Sequence, residues 1–110
     1  MLRFQKLLCA PLLAGWLAVG SLGAGSVGCG GVWYTARINA VEGKVEQAKE
    51  VGAEQYAPYE YYSAKERVAK AREEASRADY GDAIDLLEEA ESFAEKAIAQ
   101  ARAVRKGAGR

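Results

Sequence analysis

The sequence predicts an all-α fold: an Ala-rich helical hairpin with one helix before it, forming a three-helix antiparallel bundle or coiled coil behind an apolar leader. Three observations carry that expectation. Apolar residues recur at steps of three and four in three separate runs, the spacing that draws a single stripe along a helix. Ala is abundant, and Pro58 is the only proline past the leader, so the material favours helices. The runs are interrupted where turn chemistry sits, at Gly52 and at Asp79-Tyr80-Gly81-Asp82.

The leader comes first. Met1 to Lys6 carries Arg3 and Lys6 and no acid, and the 22 residues from Leu7 to Gly28 hold no charge. A positive start, an apolar stretch and small residues toward its end (Gly23, Ala24, Gly25, Ser26, Gly28) are the pattern of an export signal. The order Ser26-Val27-Gly28-Cys29 resembles the lipobox of bacterial lipoprotein signal peptides. That resemblance implies cleavage before Cys29 and a diacylglyceryl group on its sulfur. Two other readings stay open. An uncharged run of this length can span about 30 Å of hydrocarbon as an uncleaved membrane helix, and a signal can be removed without lipid attachment. All three place the chain after residue 29 outside the cytoplasm, because Arg3 and Lys6 hold the N-terminus inside. Cys9 reads as apolar filler lost with the leader. If the leader is cut, Cys29 is the one remaining cysteine and no internal disulfide can form.

Cleavage leaves 82 of the 110 residues, one domain at the small end of what folds alone. That part has 13 Lys and Arg against 15 Asp and Glu, a net charge of −2. The balance gives no footprint for nucleic acid. The expected organisation is a signal peptide at 1–28, a lipid anchor and flexible spacer at 29–31, a helical domain at 32–106 and a disordered tail at 107–110.

Within the domain, the first helix is expected from about Trp33 to Val51. Its stripe is Tyr34, Ile38, Val41, Val45 and Ala48; Gly43 weakens it and Gly52 is placed to end it. Ala53 to Ala57 is a connection. Pro58 opens the second helix, where its missing N–H does no harm. The stripe of that helix, Tyr61, Ala64, Val68, Ala71, Ala75 and Ala78, is mostly Ala, so a neighbour can come close while little area is buried per residue. Gly81 lends freedom to the turn, and Asp79 or Asp82 can cap the third helix. That helix runs from about Asp82 to Val104 on Ala83, Leu87, Ala90, Ala94, Ala97, Ala101 and Val104. Ile84, Leu86, Phe93 and Ile98 widen its stripe, which puts this helix in the centre with two neighbours. Seven acids and no base lie between Asp79 and Glu95, and bases follow, as the helix dipole favours.

Tyr56-Ala57-Pro58, then Glu60, Ala64 and Ala71, then Asp79-Tyr80, Ala83, Ala90, Ala94 and Ala97 resemble a family of short bacterial envelope lipoproteins, the domain of unknown function 4398 family. The resemblance covers roughly Glu46 to Arg105. The family reads Tyr-Ala-Pro, an Ala-rich helix, Gly-Asp-Tyr and a second Ala-rich helix. Here Ala78 stands in the place of that Gly, and Tyr61 where Leu is common. By the sorting rule of enterobacterial lipoproteins, Gly30 rather than Asp after the cysteine resembles an outer-membrane address facing the periplasm.

With no His and one cysteine past the leader, a Cys/His nucleophile, a Ser-His-Asp triad and a Cys/His zinc site are excluded. Paired carboxylates (Glu73-Glu74, Glu88-Glu89) have no cleft to serve in a helical hairpin. The expectation is therefore a non-enzymatic, membrane-anchored envelope lipoprotein without cofactor or metal, acting as a structural or protein-interaction module. Its alternatives are an accessory subunit of a transport or secretion machine and a single-pass membrane protein. The expected partners are the membrane through a lipid on Cys29, another envelope protein or the cell wall, and a second copy of the chain. Tyr59 and Tyr62, three residues apart on the second helix and opposite its stripe, either cover the first helix or the open end of the hairpin or form the candidate partner surface.

Overall fold

In a computed structural model the described residues are 29–108; the expected signal peptide, Cys9 and residues 109–110 lie outside them. The described chain is all-α, with four helices and no strand. They are α1 (Cys29–Glu50), α2 (Ala53–Tyr56), α3 (Pro58–Ser76) and α4 (Tyr80–Ala108). Among the described residues no helix is long and apolar enough to cross a membrane.

The three long helices run up, down and up. α3 is antiparallel to α4, with Arg67 meeting Glu89, and antiparallel to α1, with Arg72 meeting Glu42. α1 and α4 are therefore parallel: Gly30 lies at Tyr80, and the Arg105 guanidinium donates to the Val51 carbonyl at the other end. α4 packs along both of the others, which touch each other far less. Its wide stripe predicts this, and Ala83, Leu87, Ala90, Ala94, Ala97, Ile98 and Ala101 are all buried. Val104 departs from the expected stripe and is exposed, because α4 runs on past the ends of α1 and α2.

Gly52 ends α1 as the spacing predicts, at φ 88° with its N–H donating to the Lys49 carbonyl. The same residue starts α2, its carbonyl accepting from Gln55 and Tyr56. The expected connection thus contains a helical turn, which buries Ala53 and, just after it, Ala57. Pro58 is the first residue of α3.

The second turn departs from expectation in a definite way. Gly81 lies inside α4, and the left-handed residue is Ala78 at φ 65°. Ala78 N–H donates to Ala75 and Asp79 N–H to Glu74, the paired bonds of a Schellman motif with Ala where Gly is usual.

Two further expectations are corrected. Gly30 and Gly31 are not a flexible spacer: α1 already begins at Cys29, and the ring of Tyr80 sits against Gly30. A Cβ on Gly30 would meet that ring at 3.1 Å, so the missing side chain is what admits it. Tyr34 holds the same ring from α1, centroids 5.9 Å apart. Gly107 and Ala108, expected in a disordered tail, belong to α4.

Candidate interaction surface

The tyrosines cluster around Pro58 because α3 begins there. Its first turns lie over α2 and the second half of α4. Tyr61 points inward and is 3% exposed. Burial, followed by the nearby charges of Glu54 and Glu46, raises the pKa of its hydroxyl.

Tyr59 and Tyr62 point outward, 70% and 46% exposed. They are neighbours on α3, but each leans on a different element. Tyr59 meets Phe93 of α4 edge-on, ring centroids 6.2 Å apart at 76°. Phe93 also carries the Arg67 guanidinium at 4.3 Å and the Lys96 ammonium at 5.3 Å from its centroid. Tyr62 stands edge-on to Tyr61 at 5.1 Å, and its hydroxyl donates to the Glu54 carboxylate of α2 at 3.0 Å. That bond, then burial and the Glu54 charge, raise the pKa of Tyr62. Lys65 lies over both Tyr61 and Tyr62. The surface is therefore aromatic with a cationic rim. Sequence reasoning named its two tyrosines but missed Phe93, Lys65, Arg67, Lys96 and Glu54. Lys65 was legible as the residue one turn beyond Tyr61; the α2 and α4 members come near only through the tertiary fold.

Cys29, the sequence-predicted lipidation residue, is at the other end, exposed at the start of α1. Thirteen residues of α4 separate Tyr80, which packs by Gly30, from Phe93, roughly 20 Å along the axis. The structure thus does not bring Cys29 together with Tyr59 and Tyr62.

The acidic stretch of α4 is divided. Glu91 binds Arg37 and Lys44 of α1 at 2.7 and 2.6 Å, Glu95 also takes Lys44, and Glu89 takes Arg67 of α3. The bond from Lys44, aided by the Arg37 charge and opposed by burial, holds Glu91 below the usual carboxylate range. The bonds to Glu91 and Glu95 raise Lys44 in turn. Glu73 and Glu74 pair with Lys70 of α3 and with Arg77, which caps its C-terminal end. Among the described residues no group of three or more acidic or cysteine side chains is placed to hold a metal ion.

Fold and surface together define a small helical bundle with an Ala-lined seam, its N-terminal end built around Tyr80 and its opposite half bearing exposed aromatics. The family model described as Domain of unknown function (DUF4398) matches residues 36–108, and the chain belongs to that family. No curated protein and no solved structure matches the chain.

Proposed function

We propose that this protein is a non-enzymatic envelope lipoprotein, held by a lipid on Cys29, whose bundle acts as a structural or protein-interaction module on the outer membrane facing the periplasm. The observation that carries the reading is the uncharged run from Leu7 to Gly28, closed by Ser26-Val27-Gly28-Cys29. The exposed position of Cys29 at the first residue of α1 supports it, since the attachment point lies at the surface and at the end of a helix. Metabolic labelling with a palmitate analogue tests it. The parent chain takes up label, and Cys29→Ala abolishes both the label and processing of the precursor. Label persisting in Cys29→Ala removes the assignment.

The exposed Tyr59 favours a second reading, an accessory subunit of an envelope machine with an envelope protein as its partner. Crosslinking in intact cells separates the two: a stoichiometric complex supports the subunit, and crosslinks to the cell wall alone support the structural module.

A further inference from the structure

We infer that the first turn of α1 is itself a membrane contact, with Val32 and Trp33 seated in the interfacial layer of the bilayer that holds the chain. The inference rests on the membrane-anchored reading above and deepens it. Val32 is 69% and Trp33 73% exposed, so the bundle leaves both side chains uncovered. At 100° per residue they flank Cys29 on one face of α1, and Trp33 lies only about 6 Å along the axis from it.

The connection is stiff. α1 begins at Cys29, and Tyr80 packs against Gly30 and Tyr34, so no slack separates the attachment point from Trp33. The chain outside the described residues also ends at this spot: the 22 uncharged residues from Leu7 to Gly28 run directly into Cys29. An attachment at residue 29, by lipid or by a retained span, therefore brings this turn within reach of the headgroup layer. Trp suits that layer, with an apolar ring and an N–H that stays wet. The acids at the same end, Asp79, Asp82, Asp85 and Glu88, disfavour an anionic surface and favour a zwitterionic one. Occupation by a second copy would leave Trp33 dry but away from lipid, which makes the two occupants separable.

The test uses the full chain carrying Trp16→Phe, so that Trp33 is its only tryptophan. It is purified from membranes and reconstituted in phosphatidylcholine vesicles with brominated acyl chains. Expected is a blue-shifted Trp33 emission that is mostly lost when bromine lies near the headgroup end of the chains, and less so when it lies near their tips. A companion chain, Trp33→Phe with Ala40→Trp, moves the reporter about 10 Å further along the same face; its emission should stay unquenched. Chains that float with the vesicles but keep water-like, unquenched Trp33 emission overturn the inference and leave the anchored reading standing. Blue-shifted emission indifferent to bromine, together with crosslinked dimers, overturns it in favour of a second copy. Equal quenching at residues 33 and 40 overturns the restriction to the first turn. Failure of the chain to float overturns the anchored reading and the inference together.

Discussion

The two halves of the bundle are held together differently. Toward the Tyr80 end, Ile38, Val41, Val68 and Leu87 fill the space between helices, with Tyr34, Val45 and Leu86 around them. Toward the α2 end the buried core is Ala48, Ala53, Ala57, Ala97 and Ala101 with Tyr61 and Ile98, and Val45, Val51 and Tyr56 pack around it. The first half gains from buried aliphatic area. The second gains from close approach, and the short helix α2 and the Tyr61 ring fill what the alanines leave. One amphipathic pattern thus supports two kinds of packing. The Ala-rich half carries the exposed Tyr59 and Tyr62, whereas the aliphatic half leaves Val32 and Trp33 uncovered at its end.

The largest expected effect falls where the halves meet. Ala94 is 0% exposed, between Ala90 of one core and Ala97 of the other. Ala94→Asp places an unpaired charge there and should destabilise by about 4 kcal/mol. A melting temperature equal to the parent's would mean the seam is open to water.

Next come volume changes of opposite sign. Leu87→Ala removes the largest fully buried aliphatic side chain of the first half and should cost about 3 kcal/mol. Ala97→Leu adds volume at a fully buried alanine of the second half and should cost about 2 kcal/mol. Denaturant unfolding measures both, and a stabilising Ala97→Leu would show that the second half is loosely packed, which ends the contrast.

The turns sharpen the same comparison. At Gly52 a Cβ would meet the Tyr56 ring at 3.0 Å with φ at 88°, so Gly52→Ala should cost about 1–2 kcal/mol. Ala78 already bears that left-handed strain, and Ala78→Gly should stabilise by about 0.5–1 kcal/mol, the rare glycine that raises a melting temperature. If Ala78→Gly lowers it, the Schellman geometry at that turn is wrong.

A smaller change is expected from Tyr59→Ser with Tyr62→Ser, about 1 kcal/mol or less, because Tyr59 is mostly and Tyr62 about half exposed and both make edge contacts. Calorimetry and crosslinking are read together. Lost crosslinks at nearly unchanged stability mark a partner surface, whereas a fall as large as that of Leu87→Ala makes the rings core.

The smallest effect depends on pH. Glu91 is held below the ordinary carboxylate range by Lys44 and Arg37, so its contribution is complete above that range and fades as pH falls through its lowered value. Glu91→Gln should therefore melt slightly below the parent at neutral pH and converge with it in acid. A constant offset down to the lowest pH would place the effect in packing instead.

Much of this fold could be read from particular residues. The stripe from Ala83 to Ala101 predicted a central third helix, Pro58 the start of α3 and Gly52 the end of α1, because each is a local matter of periodicity or backbone freedom. Gly81 misled for the same reason. A glycine among aspartates is a turn signal, but the Schellman bonds close three residues earlier, through Ala78. Gly30-Gly31 misled too, since only Tyr80, fifty residues away in the chain, makes a helical seat of what reads locally as a spacer.

By itself, then, the sequence determined the all-α class, the order of the three long helices and most of their inward positions, since these follow from spacing along one chain; Ala78 and Val104, expected inside, are exposed. It also put Tyr59 and Tyr62 outside, opposite the stripe of their own helix. Only the tertiary structure decided what those rings touch and that Cys29 and Trp33 stand together on a rigid end. It decided too that an aliphatic half and an Ala half share three helices. Each of these depends on which helix lies beside which and how closely, and contact across tens of residues leaves no period in the sequence.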